Sequence, residues 1–249
     1  MFLQVEDVYG ISTGLGNMAI GANALYWILF IGVAILSYIV QALLQARFKK
    51  ASRIGLRSGM TGAEVAMKML SDNGIHDVKV VSIPGSLTDH YNPTNKTLNL
   101  SESVYGQRSV AAAAVAAHEC GHAVQHARGY APLRLRSALV PVVNFASKAV
   151  TWVLLAGMLL INVFPSLMLI GIALFATTTL FSFVTLPVEI NASRRATEWL
   201  AQAKLTDGTN HSEAVSTLRA AAYTYVVGAL SSLATLIYYL MIFTSGRRN

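Results

Sequence analysis

Charge is scarce in this sequence and is absent from long stretches of it. Charged residues make up 12% of the chain, about half the proportion usual for soluble proteins. None occurs in residues 8–46, 149–188 or 220–246. Since a membrane-spanning helix needs about 20 apolar residues, these stretches argue against an ordinary soluble domain and predict membrane spans.

The three uncharged stretches predict four transmembrane helices. One is expected at residues 24–44 and another at residues 223–243. The middle stretch, 149–188, is long enough for a hairpin of two helices. Proline and small polar residues favour a turn between helices. In this hairpin they are Asn162, Pro165 and Ser166.

Cysteine is almost absent as well. The single Cys120 excludes a disulfide within the chain and favours a reducing compartment. It lies inside an alanine-rich segment, so we expect a small packed side chain rather than a metal ligand or a nucleophile.

The charges that flank the spans predict the topology. Glu6 and Asp7 precede the first span in place of the basic residues of a signal peptide, so we expect a retained anchor. Residues 47–57 contain five basic residues and no acid. The positive-inside rule then places residues 47–148 and 187–219 in the cytoplasm and both termini outside, against the minority charge of the two arginines at 247–248.

The same flanks explain the net charge of +7. Basic residues beside a span are attracted to anionic lipid head groups. No stacking aromatic residues or recognition helix accompany them, so we do not expect a nucleic-acid partner.

The alanine-rich segment SVAAAAVAAHECGHAVQHA contains the pentapeptide HECGH at residues 118–122. Residues 113–127 hold no proline and one glycine, which predicts a helix. Positions i and i+4 of a helix share a face, so His118 and His122 can offer imidazole nitrogens to one Zn²⁺. Glu119 lies about 100° further round the axis, where it suits a general base for a zinc-activated water.

A catalytic zinc site has three protein ligands and one open position, and we expect Glu189 to be the third ligand. It is the first charged residue after the predicted hairpin, which must return to the face of the membrane that it left. Pro187 suits the first turn of a new helix. Ser193 follows Glu189 by one turn and could hydrogen-bond a ligand. The alternative is an interfacial carboxylate paired with Arg194 or Arg195.

Four other residues are weaker candidates for this ligand. His126 continues the helical stripe but lies about 12 Å along the axis from His118, so we expect it either at the surface or behind the ligands as a supporting residue. His211 and Glu213 lie in DGTNHSE, whose composition predicts a solvated loop. His90 remains a serious candidate because its strand-and-turn region could line the cleft.

The segment between the first span and HECGH predicts a small α+β region. Thr61 as N-cap and Glu64 three residues later predict a capping box, followed by a helix that ends at residues 73–74. Residues 78–83 and 97–100 predict β-strands. Two strands form only a ribbon, which must pack on the helices for stability.

Over most of its length the sequence resembles the bacterial membrane neutral zinc metallopeptidases, the YugP-like proteins. The resemblance rests on the HECGH helix, on LTDHYNP and LNLS before it, and on PVEINASRRA after it. More distantly, it resembles the HtpX-type membrane proteases and the prenyl-protein proteases.

The resemblance implies a gluzincin site with one Zn²⁺ per chain. In such a site His118, His122 and Glu189 are the ligands and Glu119 is the catalytic base. The distant relatives carry an Asp one turn after the ligand glutamate, where this chain has Ser193.

Hydrolysis of a peptide bond also needs a group that stabilises the tetrahedral oxyanion. His90 and Tyr91 are the candidates, with Arg194 behind them. The strand at residues 97–100 could hold substrate as an added strand.

We therefore expect a mainly α membrane protein with about four transmembrane helices and a cytoplasmic, zincin-like α+β peptidase domain that carries a small β-ribbon. The expected function is hydrolysis of peptide bonds in membrane or membrane-associated proteins, at the cell (inner) membrane. The alternative is a non-catalytic scaffold with a structural zinc site. A transporter is disfavoured because the spanning regions contain no ionisable group.

We expect the chain to consist of five parts. They are an N-terminal segment with the first span (1–46), the peptidase domain with the HECGH helix (47–148), the transmembrane hairpin (149–188), the continuation of the peptidase domain with the third ligand (189–222), and the last span with the C-terminus (223–249).

The topology can be tested by cysteine labelling in intact cells. A cysteine introduced near Lys50 should resist membrane-impermeant thiol reagents, because the positive-inside rule places it in the cytoplasm. A cysteine near Gln4 should react. The opposite labelling pattern would invert the topology and place the HECGH helix outside the cell.

Overall fold

The computed structural model describes residues 5–246, with side chains for residues 27–244. Seven helices and three strands lie in this part of the chain. In chain order they are α1 (Val5–Ser52), α2 (Gly62–Asp72), β1 (Lys79–Ile83), β2 (His90–Asn92), β3 (Thr97–Ser101), α3 (Glu102–Tyr105), α4 (Val110–Ala127), α5 (Ala131–Leu159), α6 (Pro165–Gln202) and α7 (Gly208–Gly246).

Four of the helices are long and apolar enough to cross a membrane, which confirms the predicted number of spans for the described residues. The turn between the two middle helices falls at residues 160–164, where it was predicted. Large apolar side chains on these helices, such as Tyr38 and Trp152, stay exposed, as expected of surfaces that face lipid. The candidate spans are Trp27–Ser52, Ala131–Leu159, Pro165–Gln202 and Gly208–Thr244.

The spanning helices are longer than a bilayer requires. With 38 residues, α6 is about 57 Å long, whereas the hydrocarbon layer is about 30 Å thick. The four expected boundaries between membrane parts and peptidase parts fall inside α1, α5, α6 and α7. The division into five parts stays a prediction, and each of its four boundaries lies within a continuous helix.

Pro187 does not begin a new helix, contrary to our prediction, because it lies in the interior of α6. A proline has no N–H and cannot bond to the carbonyl four residues earlier, which is why the sequence indicated a helix start. Packing of α6 against α4, α5 and α7 holds the helix together through this position.

The predicted two-stranded ribbon is a three-stranded sheet. Its order is β1-β3-β2, with β3 parallel to β1 and antiparallel to β2. The added strand, β2, has only three residues and contains His90 and Tyr91. The turn signal of Asn92-Pro93 masked this short strand in the sequence. Because β3 pairs on both sides, the outer edges of the sheet belong to β1 and β2.

The predicted capping box at the start of α2 is present. Thr61 Oγ1 accepts a hydrogen bond from the Glu64 amide, and the Glu64 carboxylate accepts one from the Thr61 amide at 2.7 Å. This reciprocal pair satisfies two amide groups that the first turn of a helix leaves without partners.

The HECGH segment lies in α4, a helix buried through most of its length. Its alanines allow neighbouring helices to approach closely. At Gly121 a Cβ atom would stand 2.7 Å from the carbonyl oxygen of Ala192 in α6. This contact sets the distance between α4 and α6, and therefore between the two histidines and Glu189.

Gly121→Ala should separate α4 from α6. Because the added methyl would meet backbone atoms, we expect a loss of about 1–3 kcal/mol in the free energy of unfolding and a lower zinc content. Gly228→Ala is the matched control, since a Cβ there meets nothing within 4 Å and helical alanine is favoured over glycine. Thermal unfolding in detergent and metal analysis measure both effects. Equal behaviour of the two variants would contradict the proposed close contact.

Candidate metal centre

Three side chains from two helices meet at one point. His118 and His122 come from α4 and Glu189 from α6, and one potential ligand atom from each lies within 4.8 Å of the other two. Glu189 Oε2 is 3.2 Å from His118 Nε2 and 3.6 Å from His122 Nε2. Ligands of a tetrahedral zinc ion lie about 3.3 Å apart, given bonds of about 2.0–2.1 Å. The separations therefore suit a shared metal ion.

Gln125 sets the orientation of the His122 ring. The Gln125 amide nitrogen donates to Val188 O at 2.8 Å and to Asn191 Oδ1 at 3.1 Å. Its oxygen therefore faces His122, and His122 Nδ1 donates to it at 3.1 Å. With the hydrogen on Nδ1, the lone pair of Nε2 points toward Glu189, as a metal ligand requires.

Ser193 has the corresponding position behind His118. Its hydroxyl oxygen lies 3.1 Å from His118 Nδ1, so Nε2 of that ring also faces Glu189. The sequence predicted this contact from the spacing of one helical turn between Ser193 and Glu189.

The point where these atoms meet attracts positive charge. Burial of the His122 ring disfavours its protonated form, but the hydrogen bond with Glu189 and the charges of Glu119 and Glu189 outweigh it, so the pKa of His122 is raised. Two lone-pair atoms, the imidazole nitrogen and the carboxylate oxygen, face each other here. Such a pair is stabilised by a proton or by a metal ion.

Glu189 is also held by Arg136 from α5. Arg136 Nη1 donates to Glu189 Oε1 at 3.1 Å, while Oε2 faces the two histidines. Glu189 is only 3% exposed. A buried carboxylate needs a compensating charge and hydrogen bonds on its oxygens, and Arg136 supplies both on one side.

Glu119 lies beside the three side chains rather than among them. Its Oε2 accepts a hydrogen bond from the Tyr91 amide at 3.1 Å. A cavity of about 250 Å³ opens in front of Glu119, and His118, His122 and Glu189 share its wall. A water molecule or a carbonyl group in this cavity can thus reach both the metal position and the carboxylate.

His90 and Tyr91 also line the cavity, from β2. His90 Nδ1 donates to Thr88 O at 2.8 Å, so its Nε2 can donate only when the ring is protonated. The Tyr91 hydroxyl is 2.8 Å from His126 Nδ1. His126 thus lies apart from the three converging side chains, as its distance along the helix predicted.

The other candidates lie elsewhere. The predicted loop DGTNHSE is wrong, because α7 begins at Gly208. His211 Nδ1 is 3.0 Å from Thr206 Oγ1, and the buried Glu213 forms an ion pair of 2.6 Å with Lys50. This pair joins the first turns of α7 to α1. Arg194 does not line the cavity and pairs with Glu198 in α6 at 3.8 Å.

Cys120 is buried between the metal-facing positions of α4, as predicted. Its Sγ is 3.5 Å from Ala66 O. Burial, and secondarily the charge of Glu119, raises the pKa of the thiol well above its usual range. The side chain therefore packs between α4 and α2.

Sequence reasoning missed three residues of the site: Gln125, Arg136 and Tyr225, the last of which lines the cavity from α7. A signal for Arg136 was present. It lies 26 residues before Asn162, at the turn of the hairpin, and Glu189 lies 27 residues after it. In an antiparallel hairpin, residues equidistant from the turn face each other. Gln125 also had a local signal, since it follows His122 by three residues on the same helix and contacts its ring. No comparable local signal marks Tyr225, which comes from α7.

Known proteins resemble this chain over most of its length. Residues 26–244 match the family described as "Putative neutral zinc metallopeptidase". The chain belongs to this family. It is 44% identical over 212 residues to the "Putative membrane protease YugP" of Bacillus subtilis (strain 168), an alignment that covers 85% of this chain and 93% of that protein. No solved structure matches it.

The residues at the site fit the zinc that the family name implies. Two imidazoles and one carboxylate form a donor set typical of catalytic zinc. Both ring orientations leave Nε2 free, and each ring is held from behind by a polar group, Ser193 or Gln125. All three side chains also line the cavity in front of Glu119.

Loss of Glu189 should release the metal. Under mild chelation, Glu189→Ala should lose most of its zinc, because two imidazoles alone hold the ion poorly. Glu189→Gln tests the charge at nearly constant size and should also bind zinc weakly. His126→Ala and His211→Ala should keep their zinc, since both lie outside the site. Metal analysis of purified protein measures all four. Loss in His126→Ala with retention in Glu189→Ala would exclude the ligand set.

Proposed function

We propose that this protein is an integral-membrane zinc metalloendopeptidase of the gluzincin type. In this proposal one zinc per chain is held by His118, His122 and Glu189, and Glu119 is the general base. The supporting observation is that three ligand atoms and one separate carboxylate share a single cavity. A structural zinc site needs no free carboxylate beside it, whereas hydrolysis does.

In the proposed reaction, residues of the chain have separate roles. Zinc bound at this site would supply a Lewis acid that lowers the pKa of water and polarises the substrate carbonyl. Glu119 accepts the proton of the attacking water and returns it to the leaving amine. The Tyr91 amide, which donates to Glu119 Oε2, holds the carboxylate toward the cavity. Gln125, Ser193 and Arg136 keep the ligands in position.

The substrate strand is assigned to β2 rather than to residues 97–100. Those residues lie in β3, which pairs with β1 and β2 on both sides and has no free edge. Among the described strands, β2 pairs only with β3. The Tyr91 amide points away from β3, toward Glu119. A peptide added along this edge would pass through the cavity in an extended conformation.

The developing oxyanion needs a donor in the same cavity. His90 can fill this role through Nε2. Because its Nδ1 hydrogen is already donated to Thr88 O, only the imidazolium form has a second hydrogen to donate to the oxyanion. Tyr91 is a weaker candidate, because its amide already donates to Glu119 Oε2 and its hydroxyl is 2.8 Å from His126 Nδ1. Tyr225 adds a phenol to the cavity wall. Arg194 is left out because it lies outside the cavity.

Substrates are proposed to be membrane or membrane-associated proteins. Glu189 comes directly after 24 uncharged residues of the same helix, α6 (165–188). Arg136 and Tyr225 also stand on candidate spanning helices. A site built on these helices lies next to the membrane surface. The positive-inside rule places that surface in the cytoplasm.

Glu119→Gln separates an enzyme from a scaffold. It keeps the size of the side chain and one acceptor for the Tyr91 amide but removes the basic carboxylate. We expect normal zinc content, normal folding and a loss of proteolysis of about 10²–10⁴-fold. The assay uses purified protein and a denatured membrane substrate, with zinc measured alongside turnover.

Two variants serve as controls for this test. His118→Ala should lose both metal and activity, because it removes a ligand. His211→Ala should keep both, since its ring contacts Thr206 outside the site. Full activity of a zinc-loaded Glu119→Gln protein would refute the proposed mechanism.

A further inference from the structure

A second cavity lies between α1 and α7, away from the metal centre. It is a groove of about 530 Å³, within the range of about 300–1,000 Å³ typical of ligand sites. The residues that carry the argument are Leu43, Arg47, Ser212, Ser216, Arg219 and Tyr223.

The groove crosses the boundary between apolar and charged sequence on both helices. On α1, Leu43 belongs to the first uncharged stretch and Arg47 is the first charged residue after it. On α7, Arg219 is the last charged residue before the final uncharged stretch, which contains Tyr223. One end of the groove is therefore apolar and the other cationic. A tyrosine at this depth is typical of the membrane–water interface.

The two arginines in the groove have no acidic partner. Within residues 27–244, no ion pair or hydrogen bond to the guanidinium of Arg47 or Arg219 is found. Their neighbours differ, since Lys50 pairs with Glu213 and Arg57 with Asp207. No acidic side chain lines the described groove. Two guanidinium groups that share one concave surface without a counter-ion favour an anion there.

Hydroxyl groups in the groove add to its preference for an anion. Ser212 Oγ already donates to Thr209 O at 2.8 Å, which leaves it as an acceptor. The hydroxyls of Ser216 and Tyr223 have no partner among the described residues and can donate. The groove thus offers guanidinium and hydroxyl donors at one end and an apolar wall at the other.

We propose that this groove binds one anionic glycerophospholipid. The phosphodiester lies between Arg47 and Arg219, the polar head group contacts Ser216 and Tyr223, and an acyl chain follows Leu43 into the bilayer. A free phosphate ion would satisfy the arginines but would leave the apolar end unused. The site is distinct from the metal centre and does not depend on the proposed peptidase activity.

The test uses the full-length protein in detergent micelles and native mass spectrometry. Dioleoyl phosphatidylglycerol and dioleoyl phosphatidylcholine are titrated separately, and lipid-bound protein is counted. In Arg47→Gln/Arg219→Gln the dissociation constant for phosphatidylglycerol should rise by about tenfold or more. Lys49→Gln/Arg53→Gln is the matched control, because it removes two exposed charges, one in the last turn of α1 and one directly after it, and it should bind nearly as the parent does.

Two further measurements keep the outcome clear. Arg47→Lys/Arg219→Lys retains the charge and should retain much of the binding, which separates loss of the site from loss of folding. Equal weakening in the groove variant and the control would mean diffuse attraction to basic residues and would overturn the proposal. So would equal binding of phosphatidylcholine, or complete displacement of phosphatidylglycerol by excess inorganic phosphate, which would make the groove a plain anion site.

Discussion

The arrangement of the site depends on one buried carboxylate. Glu189 is almost fully enclosed, and taking an ionised carboxyl group out of water is strongly unfavourable unless charges and donors surround it. Three elements meet this requirement together: α4 through His118 and His122, α5 through Arg136, and α6 as the carrier of the group itself. Each contact restricts the relative position of two helices, so the electrostatic demand of one side chain defines the geometry of the candidate metal centre.

Close helix packing makes that compensation possible. Glu189 can reach both histidines only because Gly121 lets the backbone of α6 approach α4. A side chain at this position would separate the ligand atoms by more than the few tenths of an ångström that a metal site tolerates. The glycine within HECGH therefore has a role as specific as those of the residues on either side of it.

Local patterns predicted much of the structure. HECGH, the capping box at Thr61 and the uncharged stretches each depend on interactions within one helix or on length alone, and all three can be recognised in a single sequence. The assignment of Glu189 needed one further step, the return of a hairpin to its starting face. The structure places this residue beside His118 and His122.

The errors arose where tertiary contacts override local preference. Proline often marks the start of a helix, but packing against three neighbouring helices keeps α6 helical through Pro187. The polar composition of residues 207–213 predicted a loop, yet the ion pair of Glu213 with Lys50 joins this segment to α1. The β2 strand is too short to show alternation and forms because β3 offers it a partner. In each case the deciding partner lies far away in the chain.

The continuity of α6 links the candidate metal centre to the apolar segment of the same helix. From the turn at residues 160–164 to Glu189 the helix extends about 36 Å without a break. Helices in a bilayer that is too thin or too thick adjust by tilting. A change of about 5° around the turn moves the far end by about 3 Å, many times the tolerance of a metal site. The length and continuity of α6 therefore make the position of Glu189 sensitive to the tilt of this helix.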